Sequence, residues 1–112
     1  MKVVVAWWDL DASTQTIESL RSFLRDEAVD AWSGLTGLRL KLWVADRRRN
    51  RWGAVQVWQS DGDLQQPLPM RAAELIGYPP THREVFDLEA AVGSLTAENA
   101  TDSVRPVAAT DI

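Results

Sequence analysis

Apolar and mixed residues alternate most clearly between Gly37 and Gln59. In the first arm Leu38, Leu40, Leu42 and Val44 fall at one parity and Arg39, Lys41, Trp43 and Ala45 at the other. That period of two belongs to a strand, whose successive side chains point to opposite faces of a sheet. The return arm splits in the same way, Val55 and Val57 against Ala54, Gln56 and Trp58. The aliphatic parity is the one a helix layer is expected to cover. The other, with two tryptophans, Lys41 and Gln56, is too apolar for bulk water and too polar for a sealed core, and calls for a partner sheet, a ligand, or both.

The rest of the pattern supplies the remaining elements. Val3 to Trp8 is nearly all apolar and reads as a central strand, with Trp7 and Trp8 on opposite faces. Ser13 or Thr14 is expected to cap a helix over about 15–32, whose inward positions are Ile17, Leu20, Leu24, Ala28 and Ala31. Gly34 suits its left-handed end. After the hairpin, Pro67 and Pro69 delay a short second helix, which starts near Pro69 and runs to Ile76. Thr81 to Leu88 alternates as a fourth strand, and Asp87 can cap a short helix over 88–95 with Val92 and Leu95 inward. From Thr96 the residues turn small and polar, so a single domain over 1–95 with a flexible tail over 96–112 is expected. The order β-α-β-β-α-β is the ferredoxin-like α+β pattern, which puts both helices on one face of an antiparallel sheet. The bare face then favours a homodimer packed sheet against sheet.

Composition narrows the chemistry. The net charge of −4 argues against non-specific nucleic-acid binding, with the basic run from Arg47 to Arg51 a local exception. That connector reads either as a solvated loop or as a basic lip for an anionic ligand. The absence of cysteine and the single histidine exclude disulfides and thiolate or multi-histidine metal sites. Haem on His82 alone is disfavoured, and neither a metal nor a cofactor is expected. The apolar start is too short for a signal peptide or a membrane span, so a cytoplasmic protein without membrane contact is expected.

Six tryptophans against one tyrosine and two phenylalanines ask for an explanation. Trp7 or Trp8, Trp43 and Trp58 can meet on one sheet surface, with Trp32 and Trp52 nearer the rim. They read as core and dimer interface, or as a flat cleft for a planar substrate oriented by Gln56 and Lys41. Lys41 has three readings: a salt bridge to Glu84, a cation stacked on Trp43 or Trp58, or a hook for an anion. His82 is the side chain that titrates nearest neutrality, hence the first choice of general acid or base, or else an idle surface residue. About 7 Å of strand rise separates it from Glu84, so the two are expected to flank a ligand without touching. Arg39 and Tyr78 rank lower.

Gly37, the Lys41-Leu-Trp43 run, the stretch from Gly53 to Trp58 and the Val85-Phe-Asp-Leu88 run together resemble the dimeric α+β barrel superfamily, and within it the YdhR-type monooxygenases. The resemblance implies a small cofactor-independent monooxygenase acting on an aromatic or polyketide-like molecule in an aromatic-lined pocket. The superfamily equally includes cyclases, isomerases, decarboxylases and non-catalytic dimers, so those alternatives stand beside it. For such chemistry the candidates read from this chain's own residues are His82 as base and Lys41 as oxyanion stabiliser, with Trp7, Trp43, Gln56, Trp58, Glu84 and Phe86 expected around the substrate. The interrupted second helix departs from the pattern and affects the pocket wall.

Overall fold

The computed structural model describes residues 1–93. Four antiparallel strands, β1 (Lys2–Asp9), β2 (Leu38–Asp46), β3 (Arg51–Trp58) and β4 (His82–Asp87), lie in the order β2-β3-β1-β4. The first helical stretch is α1 (Ile17–Phe23), which passes through a wider π turn at Leu24–Ala28 into α2 (Val29–Trp32). With α3 (Arg71–Ile76) it completes the expected ferredoxin-like βαββαβ order. Among the described residues no helix is long and apolar enough to cross a membrane.

Local chemistry accounts for most of the boundaries, with some corrections. Thr16, rather than Ser13 or Thr14, caps α1, through a reciprocal pair with Ser19. The π turn widens the helix, and Trp32 rather than Ala31 turns towards the sheet, Ala31 being exposed. Gly34 takes the expected left-handed conformation at φ +82°. The prolines push the start of α3 to Arg71, and a 3₁₀ turn at Asp61–Gln65 fills part of the gap. At Arg39 the β2–β3 register slips, so Leu38 opposes Trp58 while Leu40 opposes Val57. The expected helix over 88–95 is absent through residue 93, where Val92 is fully exposed. Leu95 and the tail over 96–112 lie outside the described residues.

The largest correction concerns the two faces of the sheet. The cross-strand pairs Val4↔Gln56, Ala6↔Ala54, Trp8↔Trp52, Lys41↔Gln56 and Trp43↔Ala54 define one face. Its Trp52 is buried with Leu10, Ile17, Leu20, Leu24, Ala28 and Ile76, while Trp8 and Trp43 pack against that cluster. The tryptophan parity is therefore the one beneath the helices, and Trp52 belongs to the core instead of the rim. The aliphatic parity, including Val3, Val5, Leu40, Leu42, Val44, Val55 and Val57, forms the bare face. A short, proline-delayed helix layer leaves space above the sheet, and bulky indoles fill it. Gly53 stands on the bare face opposite Trp7, where a Cβ would strike the Ala6 carbonyl oxygen. Its absence allows β3 and β1 to close up.

Candidate active site

Lys41 is carried by edge strand β2, on the face covered by the helices. Its Nζ lies 3.0 Å from the centre of the Trp32 ring and 4.8 Å from that of Trp43. No carboxylate or other hydrogen-bonding group reaches it among the described residues. The indole faces attract a cation but replace only part of its lost hydration. Burial accordingly pushes the amine from its ordinary 10.5 down to about 6. No nitrogen or oxygen of the described side chains is sealed from solvent without a hydrogen-bond partner, so this unpartnered Nζ keeps a small opening to water.

Gln56 lies directly across from Lys41 on β3. Its Oε1 accepts a 2.9 Å hydrogen bond from Trp58 Nε1, both residues being buried. That bond fixes the amide orientation and leaves Nε2 as a donor without a partner among the described residues. Trp58 is entirely enclosed and meets Trp32 obliquely, ring centres 6.4 Å apart. An unpaired amine, an available amide donor and three indoles thus converge under the end of α2. Trp32 is the residue that spacing alone missed. Its i+4 relation to buried Ala28 was the available signal.

The other expected site residues lie elsewhere. Trp7, His82, Glu84 and Phe86 point to the bare face, as the pairs Trp7↔His82, Val5↔Glu84 and Val3↔Phe86 require. His82 stacks on Trp7 with ring centres 4.2 Å apart, and its Nε2 meets Glu84 Oε1 at 2.8 Å. The expectation that the pair stays apart is wrong, because side chains lean along a strand and two long ones close the gap. His82 and Lys41 stand on opposite faces and on the two outer strands, so they do not converge on one ligand. The Lys41–Glu84 salt bridge is likewise ruled out, as Glu84 turns to His82. Arg39 grips Gln59 Oε1, at 2.9 Å from Nε and 2.7 Å from Nη2. Tyr78 ties the strand end to the helix layer: its hydroxyl donates to the Asp9 carbonyl, and its own carbonyl accepts from Trp8 Nε1 at 2.9 Å.

Two solvent-open hollows flank the strand ends. One, of about 560 Å³, is lined by Asp9, Asp11, Arg49, Arg51, Tyr78 and Thr81 among others. The second, of about 410 Å³, runs from Trp7 past Val44 and Asp46 to Arg51. Neither is lined by Lys41 or His82. Arg51 is held by Asp9 at 2.9 Å and Arg49 faces Asp46 at 3.8 Å, so part of the basic connector is neutralised locally. Among the described residues no three His, Asp or Glu side chains gather in a way that could hold a metal ion.

No protein-family model matches the chain, and no curated protein matches it in sequence. A solved structure does match in shape: a crystal structure described as a "putative Antibiotic biosynthesis monooxygenase" from Chloroflexus aurantiacus J-10-fl. The two share 16% sequence identity at a TM-score of 0.59, over 82% of this chain and 96% of that one. At that identity the likeness is one of fold.

Proposed function

We propose that this chain is a small cofactor-independent enzyme of the monooxygenase-like kind, YdhR-type within the dimeric α+β barrel proteins, acting on an aromatic or polyketide-like molecule. The observation that carries the reading is the amine of Lys41, held between two indoles with no carboxylate to neutralise it. An amine uncharged near neutral pH is a base, and the indoles beside it suit a planar substrate. It takes the proton of a phenolic or enolic hydroxyl, and the ammonium so formed then pairs with the anion it has made. That electron-rich anion reduces oxygen without a metal or flavin. One oxygen atom converts a ring methylene to a carbonyl while the other leaves with the two methylene hydrogens as water. Trp32 and Trp43 wall the site, and Gln56 orients the substrate. Trp58, expected from the sequence to face the substrate, is instead enclosed and holds Gln56.

The reading is tested by oxygen uptake with a panel of hydroxylated anthrones and naphthols. Wild type is expected to consume oxygen, and Lys41→Met to lose at least about 100-fold in rate, the lower range for removing a general base. Equal rates in the two proteins would remove Lys41 from the mechanism. Substrate loss without oxygen uptake would instead assign a cyclase, isomerase or decarboxylase, and binding without turnover a non-catalytic binding protein.

The 2.8 Å contact between His82 and Glu84 on Trp7 favours a second reading. In it a His–carboxylate pair on the bare face performs acid–base chemistry at a subunit junction, with Phe86 beside it. Both readings use a homodimer formed through the aliphatic face, where Leu42, Val44 and Phe86 are exposed. Leu42→Glu sets a charge on that aliphatic face and is expected to convert a dimer to a monomer in sedimentation equilibrium. A wild-type protein that sediments as a monomer would count against this pairing.

A further inference from the structure

We infer that Lys41 is a carbonyl-reactive amine whose Nζ condenses with one keto group of a β-dicarbonyl small molecule while Gln56 Nε2 holds the other oxygen. The inference deepens the proposed function, since it rests on Lys41 facing the substrate, and it narrows the substrate class to 1,3-diketones and β-keto acids. Three features of the site carry it. The amine has no carboxylate partner, so no ion pair must break before its lone pair can attack. Gln56 sits directly opposite, and its carbonyl oxygen is committed to Trp58 Nε1. Side chains of such a cross-strand pair leave Cβ atoms about 5 Å apart, a spacing that serves two oxygens on alternate carbons. Finally, Trp32 and Trp43 turn their ring faces to the Lys41 nitrogen and would lie equally well against a protonated imine, which is flat and positively charged.

The chemistry balances without an oxidant. Nζ attacks the carbonyl carbon, a C–N bond forms, and the carbonyl oxygen leaves as water with both amine hydrogens. The imine, once protonated, draws electrons from the adjacent carbon, which then releases a proton or, in a β-keto acid, carbon dioxide. Apolar burial is a recognised way to keep a lysine nucleophilic at neutral pH, and the lowered pKa of Lys41 agrees with it.

The sequence contains its own control, because it has two lysines, Lys2 and Lys41, besides the α-amine. Lys2 is ion-paired to Asp87, which raises its pKa. The whole chain is treated at pH 7 with 2,4-pentanedione and, separately, with an acetylating succinimidyl ester, and each amine is followed by peptide mass. The expected result is a gain of one diketone less one water at Lys41, at least about tenfold faster than at Lys2, as the difference in free amine allows. Gln56→Leu is expected to slow the diketone reaction while sparing acetylation. Acetylation of Lys41 without a diketone adduct would overturn this inference and leave the base reading standing. Modification of Lys2 alone by both reagents would overturn the two together.

Discussion

Lys41→Met is expected to make the protein more stable near neutral pH and to flatten its dependence on pH. In the folded state the amine titrates at about 6, against 10.5 for its ordinary value. Between those limits the unfolded chain carries a proton at Lys41 that the native chain does not. Stability therefore rises with pH across that window, with a limiting slope of about 1.4 kcal/mol per pH unit for one proton. Above the window the amine is neutral in both states and the penalty vanishes. Below it both states are charged, and the penalty is constant at its largest. Methionine keeps a flexible apolar stem against Trp32 and Trp43 but has nothing to desolvate. Over the roughly 3.5 units between pH 7 and the ordinary value of 10.5, that slope sums to an expected gain of up to about 5 kcal/mol at pH 7. Urea unfolding at a series of pH values from 6 to 9 measures both quantities. A variant whose pH slope equals that of wild type would mean that the native amine keeps its proton. Gained stability together with lost turnover is the signature of a residue retained for chemistry at the expense of the fold.

Trp58→Ala is expected to act on folding and not on association. Trp58 is enclosed beneath the helices, where its indole supports Gln56 and adjoins Trp32. Truncation leaves a cavity and removes the donor to a buried amide oxygen, a loss of about 3–5 kcal/mol. Against a total of about 5–15 kcal/mol for an ordinary domain, that brings the variant close to unfolding at 37 °C. The midpoint of urea denaturation is the measurement. Trp58→Phe keeps most of the volume and is expected to fall between wild type and the alanine variant. A well-folded Trp58→Ala protein that merely fails to associate would mean that the tryptophan face is the bare one and not the one beneath the helices.

These two expectations mark where sequence and tertiary structure divide the information. Element order, the alternation through the hairpin, the left-handed Gly34 and the opposition of Trp7 to Trp8 follow from short-range rules: strand period, helix caps and backbone sterics act within a few residues. They were legible because apolar residues recur at every second position in each arm of the hairpin, Leu40 to Val44 and Val55 to Val57, and at every third or fourth from Ile17 to Ala28. Alternation specifies that a strand has two faces, yet it does not say which one the helices cover. Both faces are apolar enough to serve.

The side on which α1 and α3 pack, and so the burial of Lys41, Trp43, Gln56 and Trp58, was decided only when all four strands and the helix layer met. The same long-range assembly separated His82 from Lys41, because β4 and β2 are opposite edges of the sheet and the two side chains differ in parity. It also set Trp32 over the amine, through a π turn whose extra width helical periodicity does not register. The sequence by itself determined the fold class and, from Leu40 onward in the hairpin, which residues share a strand face, whereas the slip at Arg39 set Leu38 opposite Trp58 and off the face of Leu40, Leu42 and Val44. The tertiary structure decided which face is enclosed, because burial is a property of the packed layers, and the pKa of a lysine depends on what lies above it as well as on its neighbours in the chain.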